Sequence, residues 1–391
     1  MPQRSYDHNR RLQRPRQSVN QRPHRYAKKK KQKRRGCFFW ALLVAVILAV
    51  VGGRFAYAKI MSAKKAADSI FQSSNIKKAR NVASALKKGR PISVLLMGTD
   101  TGALGRNFKG RTDTMMIAVL NPQKKTMTVV SLPRDTKVTI PGYESMTPSK
   151  LNSAYFYGGS GTAVKTVQKY LNVPIDFYAT INMGGLEKLI DSVGGIDVTP
   201  ELTFTYDNQS FVKGQKTHMN GARALAYVRM RHDDPLGDYG RQTRQRQVLT
   251  KLAFKSSQLT SLISQTFLST VSNQMVTDLS FNDLLVVGSK YRVATHNMVT
   301  DHLAGQSTMV DGQSFEVPTT TEKQRITNLL RKALGLKKAT TGSTGLFNDD
   351  DDASDSDYDS SYSDTTTNDY STDTNGYDSN TTSDYNNQNN Y

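Results

Sequence analysis

The chain has 391 residues, a formal net charge of +20 and one cysteine, Cys37. The length admits one large domain or two small ones, and the lone cysteine excludes an intrachain disulfide and a cysteine-built metal site. The average charge conceals segregation, because basic residues crowd Met1 to Arg35 while the segment after Lys338 has neither Lys nor Arg.

In chain order, residues 1–36 carry Arg, Lys, Gln and Pro with almost no aliphatic side chain, which predicts a disordered basic arm. Such a tract attracts phosphates, but no recognition helix or aromatic stacking platform follows it, so no nucleic acid is expected as a partner. Cys37 to Gly53 is a run of about 17 uncharged, mostly apolar residues, near the lower limit for crossing a bilayer, and a transmembrane anchor is expected over 37–58. Lys28 to Lys31 and Arg34–Arg35 precede it, which by the positive-inside rule leaves the N-terminus in the cytoplasm and everything after Arg54 outside. Membrane lipid is then the natural contact of the basic arm. Ala56-Tyr57-Ala58 has the form of a cleavage site, but the long arm and Arg54 favour a retained anchor. Residues 59–90 predict a helical stalk, closed by Gly89-Arg90-Pro91.

Three continuous apolar runs, Ile92–Gly98, Met115–Leu120 and Met127–Leu132, read as buried central strands. Helical patterns over Ala163–Leu171 and Met183–Val193 flank a further strand, Asp176–Ile181. Ser160 is placed as an N-cap before Ala163. Asn220–Tyr227 and Tyr239–Ser256 read as helices, and Leu259–Leu268, Phe281–Val287 and Thr321–Leu334 complete one domain over 91–338. The alternation implies an α/β/α sandwich around a central sheet. Residues 339–391 are Asp, Ser, Thr, Asn and Tyr, a composition that predicts a disordered acidic tail.

Polar residues collect where the strands end: Asp100 after the first, Arg111 and Asp113 before the second, Arg134 and Asp135 after the third. Arg229 and Arg231 are spaced to point one way from an extended segment, and Arg241 and Gln245 to share a helix face. Several guanidinium forks suit a diphosphate, and Asp100 with Asp113 would repel that anion unless a cation such as Mg²⁺ sits between. Asp100-Thr101-Gly102 spells an aspartic-protease triplet, but no second copy exists to complete that dyad. The histidines show no metal-ligand spacing.

The stretches LLMGTD (Leu95–Asp100), GRTDTMMIAVLNP (Gly110–Pro122), SLPRDTKVTIPG (Ser131–Gly142), KLNSAYFYGG (Lys150–Gly159), IDFYATINMGGLEKLIDSVGGIDV (Ile175–Val198) and NGARALAYVRMRHDD with GDYGRQTRQRQ (Asn220–Gln247) occur in one order. With them the chain resembles the LytR-CpsA-Psr family of cell-wall glycopolymer ligases, tightly over about Ile92–Lys251. The resemblance implies an α/β/α sandwich with an apolar pocket for a polyprenyl tail. It implies Mg²⁺ held at Asp100 and Asp113, and pyrophosphate held by Arg134, Arg229, Arg231, Arg241 and Gln245. Arg111 is grouped with this anion-binding set. The implied reaction transfers a glycosyl-phosphate polymer, teichoic acid or capsule, from undecaprenyl pyrophosphate to peptidoglycan, with pyrophosphatase activity at its side. Asp100 or Asp135 could accept the acceptor's proton. The other class the resemblance allows is an envelope-anchored, lipid-binding transcriptional attenuator, which would not need both aspartates.

Overall fold

The computed structural model describes residues 35–99, 110–256, 272 and 274–342, with side chains from 48 onward except at 253, 254 and 256. The expected basic arm, Asp100, the helix expected over Leu259–Leu268 and the tail beyond 342 lie outside these residues.

The centre is a six-stranded mixed sheet built on the three apolar runs, β1 (Ile92–Thr99), β2 (Thr112–Asn121) and β3 (Thr126–Leu132). These form an antiparallel meander, with Leu95 opposite Ile117 and Met115 opposite Leu132. Two minor strands, β4 (Lys137–Val138) and β5 (Ser149–Lys150), pair just past β3. β6 (Phe177–Asn182) runs parallel to β1 on its other side. Short hairpin-like pairs follow: β7 (Ile196–Val198) with β10 (Thr217–Met219), and β8 (Phe204–Tyr206) with β9 (Gln209–Phe211). The sheet is completed by β11 (Met275–Thr277) and β12 (Asn297–His302), in the order β11-β6-β1-β2-β3-β12. A separate hairpin, β13 (Gln306–Val310) and β14 (Gln313–Val317), follows.

Both faces are covered, which is why the central strands read as unbroken apolar runs. Leu95, Met97, Met115, Ile117, Val130 and Leu132 face a core closed by α3 (Ser153–Leu171) and α8 (Thr320–Ala333). The opposite face carries α2 (Val82–Lys88) and α7 (Phe281–Val286) at one end. At the other end are α4 (Met183–Ser192), α5 (Gly221–Arg229) and α6 (Gly237–Ser256). Asn182 and Asn220 cap α4 and α5, accepting bonds from the amides of Gly185 and Arg223. The expected sandwich of helices around a mixed sheet is thus the observed fold.

The expected transmembrane anchor is corrected. Helix α1 (Arg35–Ile70) spans 36 residues, but Arg54 ends the apolar run and Lys59, Lys64, Lys65 and Asp68 follow in the same helix. Among the described residues no helix is long and apolar enough to cross a membrane. The outward-facing placement that rested on that span falls with it.

The stalk is also not one helix. After Ile70 the chain runs irregularly to α2, held by Arg80, whose Nε and Nη2 donate to the two oxygens of buried Asp176 at 2.7 and 2.5 Å. Lys78 Nζ donates to Asp278 Oδ2 at 2.6 Å and to the Asp176 carbonyl at 2.5 Å. Helix α3 joins two helices across a kink at Gly159 (φ 73°): the first begins at Ser153, ten residues before the expected start, and the second, which follows Gly159, contains the helix expected over Ala163–Leu171. Residues 339–342, expected in the tail, are fastened to the domain: Asn172 donates to the Thr340 carbonyl at 2.8 Å and Lys323 to that of Gly342 at 2.7 Å.

Candidate active site

The register of β2 and β3 places Asp113 and Arg134 opposite one another just past the last ladder pair, Met115 and Leu132. Arg134 Nη1 donates to Asp113 Oδ1 at 2.5 Å, and its Nε lies 3.5 Å from Asp135 Oδ2. Asp135 is held from the other side by Lys150 of β5, with Nζ 3.2 Å from Oδ1. Burial disfavours the charge on Arg134, but Asp135 and Asp113 outweigh it and raise its pKa above the ordinary guanidinium value.

Helix α6 brings the second half. Arg241 Nη2 reaches the Asp113 carbonyl at 3.3 Å and pairs with Asp238 Oδ1 at 2.5 Å. Burial pulls the Arg241 pKa down; Asp238 and Asp113 counter this, while Arg134 and Arg231 add repulsion. An anion brought close to Arg241 would favour its charged form. One turn on, Gln245 stands at the wall of a cavity of about 190 Å³ between the sheet and helices α4 and α6. Its lining is apolar, including Leu96, Met116, Ile181, Leu186 and Leu249. Gly98 lines the cavity at the sheet, where a Cβ would stand only 3.2 Å from that of its cross-strand neighbour Thr114.

Among the described residues, buried atoms around this cluster without a hydrogen-bond partner include Thr112 Oγ1, Asn152 Oδ1, Arg241 Nε and Gln245 Oε1. Folded proteins leave few such atoms, so their grouping marks a place where a polar ligand completes the bonding.

Of the residues expected at the site, Asp113, Arg134, Asp135, Arg241 and Gln245 come together, and Arg231 lies close enough to act on the charge of Arg241. Arg229 is the last residue of α5 and Arg231 follows the turn at Met230, so the pair is not in an extended strand. Arg111 is exposed two residues before Asp113. Among the described residues neither Arg111 nor Arg229 forms an ion pair with the cluster.

Sequence reasoning missed Asp238, Lys150, Asp234 and Arg244. Asp238 had a visible signal, its i, i+3 spacing to Arg241. Arg244 had none: it is buried, donates to the carbonyls of Tyr227 and Met230, pairs with Asp234, and so fixes the turn that carries Arg231. Gly240 is needed for that turn, because a Cβ would collide with the Asp234 carboxylate at 1.9 Å.

Among the described residues no group of three or more His, Cys, Asp or Glu could hold a metal ion alone. Mg²⁺ shared with substrate phosphates needs only one or two carboxylates, and Asp113 meets that demand.

A sheet-end cluster of guanidinium groups and carboxylates opening on an apolar cavity defines a protein suited to a ligand with an anionic head and an apolar body. The LytR_cpsA_psr family model matches residues 56–332, and the chain belongs to that family. It is 41% identical over 300 residues to the polyisoprenyl-teichoic acid–peptidoglycan teichoic acid transferase TagU of Enterococcus faecalis, covering 76% of this chain and 96% of that protein. Among solved structures, B. subtilis TagV matches at a TM-score of 0.55 and 31% identity, covering 64% of this chain and 99% of that one. TagT bound to LIIa-WTA matches at a TM-score of 0.54 and 26% identity, covering 67% and 96%.

Proposed function

We propose that this protein is a phosphotransferase that moves a teichoic-acid-type glycosyl-phosphate polymer from a polyprenyl pyrophosphate onto a hydroxyl of peptidoglycan. The observation that carries this reading is the Arg134–Asp113–Arg241 network opening, through Gln245, onto the apolar cavity. The cavity takes the start of the polyprenyl chain and the arginines take the pyrophosphate. The names of the relatives support the same substrate class.

In this mechanism the acceptor oxygen bonds to the phosphorus that bears the glycan, and the bridging P–O bond to polyprenyl phosphate breaks. The hydroxyl proton passes to a carboxylate, Asp135 or Asp100. Arg134 and Arg241, assisted by Arg231 and Arg229, neutralise charge growing on the leaving phosphate, the main task in phosphoryl transfer. Asp113 and Asp100 would hold Mg²⁺, which supplies further charge neutralisation when bound. Water in place of the acceptor gives pyrophosphate hydrolysis as a side activity.

The test incubates the full chain with polyprenyl-pyrophosphoryl teichoic acid and peptidoglycan, with Mg²⁺ or with EDTA. Polymer covalently attached to peptidoglycan in Mg²⁺, and at least a hundredfold less in EDTA, is the expected outcome, on the order of the loss of one preorganised charge donor. No attachment above a protein-free blank would overturn the reading.

A further inference from the structure

The hairpin of β13 and β14 forms a two-stranded sheet of its own, closed by a two-residue turn at Asp311 and Gly312, both at positive φ. Gln306 to Met309, Gln313 and Ser314 are exposed, whereas Phe315 near its base is buried. A lone hairpin is at best marginally stable in water, so this one depends on its attachment. That attachment is to the active-site segment. The Glu316 amide donates to the Asp135 carbonyl at 2.9 Å, and Glu316 also bridges Thr136. The Tyr239 hydroxyl of α6 donates to Glu316 Oε1 at 2.5 Å, and the Lys150 ammonium lies 5.8 Å over the Phe315 ring.

The chemistry of the arm narrows what it could hold. From Leu303 to Val317 there is no Lys or Arg, which disfavours a polyanion, and Met309 is the one large apolar side chain that is prominently exposed, which disfavours a lipid surface. Apart from Met309 and the Asp311 carboxylate at the turn, the exposed side chains of the two strands are amides and hydroxyls, with the hydroxyls of Ser307 and Ser314 presented together 3.1 Å apart. Such groups match the hydroxyls of a sugar chain.

Position then separates acceptor from donor. The apolar cavity lies at β6, β1 and β2, while the hairpin is attached beyond β3, with the Asp113–Arg134 pair between them. In-line transfer requires the incoming hydroxyl to approach opposite the departing polyprenyl phosphate. We infer that the β13–β14 hairpin is the docking arm for the acceptor glycan strand, an inference that rests on the transferase reading for its choice of glycan.

The test uses the full chain and a variant with Ser307→Ala, Thr308→Ala, Gln313→Ala and Ser314→Ala, which keeps the turn and the anchoring residues Phe315 and Glu316. Binding of soluble, uncrosslinked peptidoglycan glycan strands is measured by calorimetry, and binding of polyprenyl pyrophosphate in the same samples reports an intact fold. On the order of tenfold weaker glycan-strand binding is expected from the loss of several hydrogen bonds, with polyprenyl pyrophosphate binding unchanged. Equal glycan affinity in the two proteins, or no glycan binding by the unmodified chain, would overturn the inference. A chain that binds glycan strands through the hairpin but transfers no polymer would leave the inference standing and remove the transferase reading instead.

Discussion

Arg134 faces two carboxylates, Asp113 and Asp135, with one planar group, and that geometry makes it the residue whose replacement is most informative. Arg134→Lys keeps the positive charge but loses the planar fork that aims separate donors at Asp113 and Asp135. Polymer transfer by the Lys variant is expected to fall close to that of Arg134→Ala, on the order of a hundredfold below the unmodified chain. Full activity in the Lys variant would mean that charge alone suffices. The sequence placed Asp113, Arg134 and Asp135 at strand ends correctly, because a continuous apolar run followed by Pro-Arg-Asp marks where a buried strand emerges. It gave no sign of Arg244 and its partner Asp234, since only the fold reveals which carboxylate that buried arginine meets.

At the scale of elements, α6 carries Asp238, Arg241 and Gln245 and is positioned by two unlike contacts. Arg244 clamps it to the end of α5 through Asp234, Tyr227 and Met230. Replacing Arg244 by Met leaves the Asp234 carboxylate buried without its partner, and a stability loss of about 3–5 kcal/mol in urea denaturation is expected. A loss below about 1 kcal/mol would show that the clamp is not needed to hold the turn. The second contact is Tyr239, whose ring meets His302 of β12 edge to face at 5.2 Å. Burial, then the charge of Arg246, lowers the His302 pKa below its ordinary value. The unfolded chain therefore binds the proton more readily. This contribution to stability is fully present above the unfolded pKa of about 6.5 and is lost as pH falls below it toward the folded value. Asp301 and Glu322 nearby have lowered pKa values, so their titration belongs to a more acidic range. His302→Phe keeps a ring against Tyr239 and is expected to flatten the dependence of melting temperature on pH below 6.5. An unchanged slope would assign it to other groups.

For the whole molecule, ion pairs hold the irregular segment after α1 against the sheet. Asp176 is 1% exposed, receives both arms of Arg80, and accepts the Ser93 amide at 2.8 Å, joining three chain segments. Arg80→Ala strands that carboxylate, and a loss of about 3–5 kcal/mol in global stability is expected, measurable by denaturant titration. The double variant Arg80→Ala with Asp176→Ala should recover part of it, because no unpaired charge then remains buried. A double variant as unstable as the sum of the two singles would refute the pairing as the cause.

The sequence by itself determined the mixed-sheet sandwich, the positions of β1, β2, β3, β6, α4, α5 and α6, and the residue types gathered at the strand ends. Hydrophobic period and turn chemistry are local properties, and each of these elements is long or strongly patterned enough to express them. The tertiary structure decided the rest. The β13–β14 hairpin has no apolar face to announce it, and the short strands β11 and β12 become strands only because β6 and β3 offer them open edges. The apolar run in α1 looked like a membrane span over 17 residues, yet the helix containing it runs on through Arg54 and four further charges. The cavity is likewise formed by side chains far apart in sequence, from Leu96 to Met275, which only packing brings to one place.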